Sequence, residues 1–321
     1  MSIKTVTVLG GSGFVGRAIV RALAHQGFLV KVAARRIELA EPAKTAGEVG
    51  QVMLMRANLR VPASIAKVVA GSDAVVNAAG VGWQRGRQRY QSVHVDGART
   101  IADACRGFGI KRLVHISGIG ADARSSKNGY VLSKVAAEDA IVAGFPDATI
   151  VRPSVVFGPG DVMFSRLARI ACMAPFLPVV GDGSAKIQPV FVGDVAQAVA
   201  TLLGKPETAR SVFELGGPRV YTHREIAALV LREIDRKKPI VGLPASLMKV
   251  AGFFAQQAAI VGLVPQLTVD QVDLMLQDNL VRPGANNLAT LGIQPTAAEA
   301  ILPTYLDRFR QGGRYNQHAP A

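Results

Sequence analysis

The side chains of this chain that could do chemistry are Tyr130 and Lys134, which stand four positions apart. On a helix, that spacing places both side chains on one face. An ammonium beside a phenol stabilises the phenolate, so the tyrosine could act as a general acid or base. Ser117 could join them by donating a hydrogen bond to a carbonyl oxygen, or it could satisfy backbone groups at the end of a strand. Tyr-x-x-x-Lys is common by chance, so its position in the fold decides its meaning.

Alternating strands and helices predict where these side chains lie. Apolar, β-branched runs predict strands, and apolar residues three and four positions apart predict helices. The predicted strands are 3–9, 28–34, 51–55, 74–77 and 112–117, and the predicted helices are 17–25, 64–69, 93–105 and 130–139. This alternation predicts an α/β fold, a doubly wound parallel Rossmann sheet. Ser117 would then end the fifth strand, and Tyr130 would lie on the helix that follows it.

A glycine-rich turn near the N-terminus joins the first predicted strand to the first predicted helix. A tight turn needs a residue without Cβ, a pyrophosphate can approach only a bare backbone, and the following helix directs free N–H groups at the anion. Because the glycines lie between a strand and a helix, they predict a dinucleotide site rather than an ordinary βαβ turn. The predicted cofactor contacts in this turn are Gly10, Ser12, Gly13, Phe14, Val15 and Gly16.

The end of the second predicted strand bears on the choice of cofactor. It carries Arg35 and Arg36, and the first acid after it is Glu38. A site for NAD usually places a carboxylate there for the ribose 2′-hydroxyl, whereas an arginine suits a 2′-phosphate. A guanidinium binds phosphate bidentately, and a carboxylate repels it. The alternative is that the two arginines only solvate a loop. The pair favours NADP(H), with NADPH preferred.

The composition limits the class of protein. The chain has 321 residues, enough for one large α/β domain with a smaller appended region. Its two cysteines, Cys105 and Cys172, lie far apart, which predicts a reducing compartment and no disulfide. No His/Cys cluster suggests a metal site. The first strand begins almost at the N-terminus, so we expect no signal peptide, and the apolar run in the C-terminal third is too short for a transmembrane helix.

The formal net charge of +14 favours partners that carry negative charge. Basic runs lie at 35–36, 85–89 and 236–238, but no nucleic-acid recognition motif or aromatic stacking platform accompanies them. Nucleic acid therefore ranks last. A phosphorylated cofactor, an anionic membrane surface and an acidic protein subunit remain.

Several motifs in chain order resemble the atypical or extended short-chain dehydrogenase/reductases, once labelled NAD-dependent epimerase/dehydratases. More narrowly, the chain is similar to the NADPH-binding accessory subunits of respiratory complex I (alpha-subcomplex subunit 9) and their bacterial relatives. The resemblance covers roughly residues 3–310. The broader resemblance is carried by Gly10–Gly16, Asn77–Gly80, His115–Ser117, Tyr130-x-x-x-Lys134, Arg152–Pro159 and Gln188–Ala196. The narrower one is carried by Val131–Glu138, Phe145–Ser154 and Val269–Met275.

The resemblance implies a bound NADPH without demonstrated turnover, beside the quinone-reducing arm of a respiratory complex. It also implies a catalytic set, Tyr130, Lys134 and Ser117, that is vestigial in such a subunit. Further cofactor contacts implied by the resemblance are Asn58, Leu59, Ala78, Ala79, Gly80, Ile116, Tyr130, Lys134, Pro153, Ser154 and Val155. The predicted pocket region, 158–186, is apolar and offers few groups to bind a nucleotide sugar.

The predicted domains are a dinucleotide-binding domain at 1–157, to which the chain returns at 187–217, and a smaller, mostly helical domain at 158–186 and 218–310. Residues 311–321 lack an apolar period and are expected to form a mobile tail. Between Pro239 and Val269 the one charged residue is Lys249. This segment predicts an interfacial helix or a subunit-docking surface, or else a buried helix pair.

Three functions follow from these observations. The first is an accessory subunit of NADH:quinone oxidoreductase, peripheral at the cytoplasmic (or matrix-equivalent) face of the inner membrane. The second is a free-standing NADP(H)-dependent reductase or sugar-nucleotide epimerase, in which Tyr130 and Lys134 are active. The third is a regulator that senses NADPH without chemistry.

Overall fold

The computed structural model describes residues 3–258 and 267–313 of the chain. The strands are β1 Thr5–Leu9, β2 Leu29–Ala34, β3 Val52–Arg56, β4 Ala74–Asn77, β5 Arg112–Ile116, β6 Thr149–Pro153, β7 Val156–Phe157, β8 Leu177–Val180, β9 Lys186–Ile187, β10 Val190–Phe191, β11 Val212–Leu215, β12 Tyr221–Thr222 and β13 Ile240–Leu243. The helices are α1 Phe14–His25, α2 Pro62–Val69, α3 Asp96–Gly107, α4 Gly129–Gly144, α5 Met163–Met173, α6 Val192–Leu203, α7 His223–Glu233, α8 Ala245–Ala258, α9 Val269–Leu274, α10 Ala298–Ile301 and α11 Pro303–Leu306.

The main sheet is parallel and has the order β11-β6-β5-β4-β1-β2-β3. Its central strands are buried along their whole length, which their β-branched, apolar sequences allow. The order reverses between β1 and β4, since the chain first runs outward from β1 to β3 and then starts again at β4. Ligands of such sheets bind at the carboxyl ends of the strands near this reversal. The predicted Rossmann-type fold is confirmed.

Helices cover both faces of this sheet. On one face α2, α3 and α4 enclose a core with the strand residues that point toward them, including Leu9, Leu113 and Ile150. On the other face α1 packs against α6. Because parallel strands need a crossover between neighbours, each helix returns the chain to the same edge of the sheet. The glycine turn and Ser117 therefore lie at one edge, after β1 and β5.

A buried ion cluster fixes α4 to the sheet. The Arg152 guanidinium on β6 donates to both carboxylate oxygens of Glu138 on α4, at 3.0 and 2.6 Å. Its Nη1 also lies 3.7 Å from Glu214 on β11, whose carboxylate accepts from Arg282 at 2.9 Å. Buried charges that are paired in this way orient the helix and strands that carry them. A buried charge without a partner would carry a large desolvation penalty. The helix that carries Tyr130 is held at a defined height on the sheet.

The chain divides into two compact units. Unit 1 contains Met1–Pro153, Val192–Leu215 and Val281–Gln294, and unit 2 contains Ser154–Phe191, Gly216–Leu280 and Pro295–Ala321. The sequence placed 281–294 in the small domain, whereas this segment groups with unit 1. The reason lies in its contacts, because Arg282 binds Glu214 and Asn286 bridges to Phe213 on β11.

Unit 2 has its own core, which α5, α7, α10 and α11 share with short strand pairs. Of the apolar residues predicted to line a pocket at 158–186, Phe164, Leu177 and Val179 are buried in this core, whereas Met173 is 82% exposed. The mobile tail expected at 311–321 lies outside the described residues from 314 onward. In the described parts of the chain, no helix is long and apolar enough to cross a bilayer.

Candidate cofactor cleft and active site

The glycine turn after β1 forms a cradle with no room for side chains. Gly10 has φ +80°, a left-handed conformation, and a Cβ there would lie 2.8 Å from the Ala78 carbonyl oxygen. A Cβ on Gly16 would collide with the Gly10 carbonyl, and Gly16 is buried. Gly13 donates to the Gly10 carbonyl oxygen at 2.9 Å and caps α1 without a side-chain hydrogen bond. The first N–H groups of α1 therefore remain available to an anion.

A cleft of about 220 Å³ opens beside this turn. Nine of the residues predicted to contact a cofactor line it: Gly10, Ser12, Gly13, Arg35, Asn58, Leu59, Ala78, Ala79 and Gly80. Phe14, Val15 and Gly16 form the first turn of α1, and Arg36 is exposed beyond β2; none of these lines the cleft among the described residues. Arg60 also lines the cleft; it was not predicted, although it stands directly after the predicted pair Asn58 and Leu59.

Arg35 and Arg60 are the ionisable residues of this lining. The guanidinium of Arg35 donates to Gln88 Oε1 at 2.6 Å, which holds it at the rim. Glu38 pairs instead with Arg56 at 3.7 Å, on the exposed surface. The rim of the cleft is therefore cationic, with no carboxylate in the described lining to repel a phosphate.

Tyr130 and Lys134 lie on the first turns of α4, as predicted. Asn128 caps this helix, accepting from the backbone N–H of Tyr130 at 3.0 Å and of Val131 at 3.2 Å. The ammonium of Lys134 is buried, 3.5 Å from the Ile116 carbonyl oxygen and 5.9 Å from the centre of the Tyr130 ring. A Cβ on Gly80 would lie 3.8 Å from that ammonium. The Lys134 ammonium thus lies between the end of β5 at Ile116 and the cleft residue Gly80.

Ser117 follows β5 with its backbone N–H bonded to the Val151 carbonyl oxygen at 2.7 Å. Its Oγ is buried and has no hydrogen-bond partner among the described residues. A buried hydroxyl without a partner is uncommon, because it costs the desolvation of that group. The observation favours a hydroxyl that serves a ligand over one that serves the local backbone.

His94, which was not among the predicted site residues, is buried in a π-helical turn at Gln91–Val95 that precedes α3. Its Nε2 accepts from the Val81 N–H at 3.0 Å, and its Nδ1 lies 2.8 Å from Ser133 Oγ. Ser133 Oγ already donates to the Tyr130 carbonyl oxygen at 2.6 Å, so Nδ1 carries the proton. Burial, and then the nearby Lys134 ammonium, lowers the pKa of His94 to about 3, so the ring is neutral.

Aromatic rings complete this arrangement. His94 stacks on Tyr90 with ring centres 5.4 Å apart, and both rings meet the edge or face of Tyr130 at 5.8 and 5.7 Å. Such T-shaped contacts restrict the direction of a phenol ring. The cleft loop at Val81 and the helix of Tyr130 are therefore joined through one imidazole and its neighbours.

A second neutral histidine orders the turn at 78–80. Asn77 Oδ1 accepts from the Ala79 N–H at 3.2 Å, which directs its amide nitrogen to His115 Nδ1 at 2.9 Å. Burial, followed by the charge of Lys134 and the neighbouring His94, lowers the pKa of His115 to about 3. Both residues belong to motifs that carried the family resemblance, yet neither was predicted as a site residue.

Pro153, Ser154 and Val155, also predicted as cofactor contacts, lie at the division between the units. Pro153 ends β6 in unit 1, whereas the other two belong to unit 2. Ser154 Oγ donates to Asn279 Oδ1 at 2.6 Å within unit 2. Their role toward a cofactor stays a prediction.

Comparison with known proteins agrees with this geometry. A model of the NAD dependent epimerase/dehydratase family matches residues 6–216. The chain is 32% identical to the 40 kDa subunit of the mitochondrial NADH-ubiquinone oxidoreductase of Neurospora crassa, over 97% of this chain and 81% of that protein. It is 31% identical to a ceramide reductase of Caulobacter vibrioides, over 77% of this chain and 76% of the relative.

A solved structure supports the fold. A dTDP-glucose 4,6-dehydratase double mutant from Streptomyces venezuelae, crystallised with NAD, superposes with a TM-score of 0.72 at 18% identity, over 95% of this chain and 96% of the other. At that identity the likeness concerns the fold alone.

Proposed function

Because this chain belongs to the NAD dependent epimerase/dehydratase family, we propose that it is an NADP(H)-binding accessory subunit of an NADH:quinone oxidoreductase. The observation that carries this proposal is similarity at 32% identity to a subunit of that enzyme along nearly the whole chain. The match extends over unit 2 as well as unit 1, so it exceeds what a shared dinucleotide-binding domain would give.

The cleft suits a dinucleotide. Gly10 and Gly13 leave bare backbone beside the N-terminus of α1, where a pyrophosphate would receive N–H groups. Arg35 and Arg60 would hold a 2′-phosphate at the cationic rim, which favours NADPH over NADH. Lys134 and Tyr130 would face the nicotinamide end. When bound, this cofactor supplies a hydride donor or acceptor.

The side chains around that end could also stabilise a bound cofactor without turnover. Lys134 would donate to a ribose hydroxyl, and Tyr130 would close the pocket with its ring. The role of the cofactor would then be to hold unit 1 in its folded form, because a ligand that binds the native state stabilises it by mass action. This is the expected behaviour of a structural subunit.

We also propose a peripheral position at the cytoplasmic face of the membrane. The helix α8 exposes Leu247, Val250, Phe253 and Phe254, each more than half exposed to solvent. Such a patch marks a protein or membrane contact. The excess of lysine and arginine, with a net charge of +14, would add attraction to an anionic lipid surface or an acidic subunit.

Native electrophoresis of gently solubilised membranes tests the assignment. The tagged chain should migrate with NADH:quinone oxidoreductase activity, and deletion of its gene should reduce the amount of assembled enzyme. A Phe253→Ser/Phe254→Ser variant should be released by salt, whereas Met173→Ser, at an exposed apolar residue of α5, should stay bound. A chain that migrates alone, in cells whose complex assembles normally without it, would contradict the proposal.

A free-standing NADP(H)-dependent reductase is the second candidate. It is favoured by the Ser117 hydroxyl without a partner beside an intact Tyr130 and Lys134 pair, and by the similarity to a ceramide reductase. In such an enzyme Ser117 and Tyr130 would hydrogen-bond the carbonyl oxygen, and Tyr130 would give it a proton. Oxidation of NADPH by the purified chain with a long-chain ketone, lost in Tyr130→Phe, would favour this candidate.

A further inference from the structure

Unit 2 contains a second cavity, of about 120 Å³, which shares no residue with the cofactor cleft. It lies between α5 and β8, where Leu167, Ile170 and Val179 form its wall, and it reaches α8 at Met248. The described residues of its lining include no glycine, so they offer no bare backbone of the kind that a phosphate approaches in the cofactor cleft.

The lining is apolar and adaptable. Three of the seven methionines of the chain, Met163, Met248 and Met275, face this one cavity. Methionine is unbranched and polarizable, and proteins use it where a surface must fit flexible apolar ligands. Water finds few partners in such a space, so apolar cavities stay dry or take up apolar molecules.

Two ionisable residues, Arg166 and His223, line the otherwise apolar cavity, and the described lining contains no acid. Burial lowers the pKa of both side chains. His223 Nε2 is buried and has no hydrogen-bond partner among the described residues. A guanidinium and an imidazole in a lining that is otherwise apolar match an aliphatic molecule with an anionic head group.

We propose that this cavity binds the head group and first carbons of one aliphatic molecule, whose anionic head meets Arg166 and His223, while the remaining carbons lie outside its volume of about 120 Å³. The helix α8 gives such a chain a route, because Met248 lines the cavity while Leu247 and Phe254 on the same helix face outward. A helix that is apolar on both sides fits a position between a ligand and a lipid surface. A free fatty acid and an acyl chain of an anionic phospholipid share this chemistry.

Calorimetric titration of the delipidated full chain with dodecanoate, below its aggregation concentration, tests the site. One dodecanoate should bind per chain. Met248→Trp and Met275→Trp, which fill the cavity, should each weaken binding about tenfold or more, about 1.4 kcal/mol. The matched control Leu247→Trp, on the exposed side of α8, should leave it unchanged. Circular dichroism should show each variant folded, and two independent tryptophans guard against one misfolded variant.

The head group and the source of the chain need separate measurements. Arg166→Met should weaken dodecanoate about tenfold but 1-dodecanol much less, because only the first carries a charge. Flotation of the protein with vesicles of anionic phospholipid shows whether the membrane supplies the acyl chain. If a phospholipid is the ligand, Met248→Trp should weaken flotation. If a free fatty acid is the ligand, Met248→Trp should leave flotation unchanged.

Two results would overturn the proposal. One is no saturable binding of dodecanoate, and the other is equal loss in Leu247→Trp and Met248→Trp, which indicates adsorption to the outside of α8. NADPH affinity, measured in parallel by nicotinamide fluorescence, should not change in any cavity variant. A failure of the cavity is thereby distinguished from a failure of the proposed cofactor function.

Discussion

His94 Nδ1 lies 2.8 Å from Ser133 Oγ, and this contact joins the loop of the cofactor cleft to the helix that carries Tyr130 and Lys134. His94 Nδ1 donates a hydrogen bond to Ser133 Oγ, and its Nε2 accepts one from the Val81 N–H. A neutral imidazole is suited to this position because it donates on one side and accepts on the other. A protonated one would lose the Val81 contact.

Replacing His94 should therefore affect both elements. In His94→Phe the Val81 N–H and Ser133 Oγ lose a buried partner, so we expect a loss of about 2–4 kcal/mol in the free energy of unfolding and weaker NADPH binding. His94→Gln can donate and accept, and should recover part of both. Tyr90→Phe keeps the stacked ring and loses the hydrogen bond from its hydroxyl to the Gly82 carbonyl oxygen at 3.3 Å, so its loss should be smaller than that of His94→Phe. Equal unfolding midpoints for His94→Phe and the unmodified chain in urea would refute this link.

The two buried histidines predict acid sensitivity. The pKa values of His94 and His115 are about 3 in the folded chain, against 6.5 for an ordinary histidine. Between these pH values the unfolded chain binds protons on both histidines and the folded chain does not. Their contribution to the free energy of unfolding is therefore fully present above pH 6.5 and is lost as the pH falls toward 3. The slope approaches about 1.4 kcal/mol per pH unit for each histidine.

Urea unfolding between pH 7 and pH 4.5 measures this slope. His115→Gln should reduce the histidine contribution by less than half, because His94 remains and burial also lowers the pKa of His223. The control is Gln26→Ala, which changes an exposed residue without a titratable group and should not change the slope. Stability that is constant over this range would contradict the buried neutral state of both rings.

The choice between NADPH and NADH should depend on Arg35. It lines the cleft, whereas Arg36 is exposed and does not line it. Arg35→Ala should cost about 1.5–3 kcal/mol in NADPH affinity and little in NADH affinity, as for a hydrogen bond to a charged group. Arg36→Ala is the matched control. Equal dissociation constants of the unmodified chain for the two cofactors would show that the arginines only solvate the loop.

Cofactor binding and chemistry should separate if the chain is a structural subunit. Gly13→Val should abolish NADPH binding and complex assembly, because its side chain would project into the cleft while its backbone has an ordinary φ of −77°. Tyr130→Phe should leave both nearly unchanged. Assembly lost in Tyr130→Phe, with NADPH still bound, would be incompatible with a role limited to structure.

Much of unit 1 could be predicted because its local signals agree with its packing. The β-branched strands, the glycine turn and the Tyr130–Lys134 spacing each depend on neighbours in sequence, and each lies where predicted. Of the nine predicted residues that line the cleft, four followed from local signals, and five followed from the family resemblance. The boundaries of helices were less accurate, since α1 begins at Phe14 rather than at residue 17.

The features that escaped prediction depend on contacts between distant residues. His94 stands in an apolar run, and only the approach of Val81 and Ser133 gives it partners. Arg282 lies 68 positions after Glu214, so no local pattern could pair them. Arg60 had a weaker signal, its place directly after two predicted cleft residues.

The discontinuity of unit 1 has a consequence for synthesis. The glycine turn is synthesised first, but the Glu214 carboxylate can pair with Arg282 only after the segment Val281–Gln294 has emerged from the ribosome. Until then the buried acid on β11 has Arg152 as its cation, shared with Glu138. Domains usually mature in the order of translation, whereas here the N-terminal nucleotide fold is completed by nearly the last part of the chain. A chain that ended before Val281 would therefore leave the Glu214 carboxylate without its second cation.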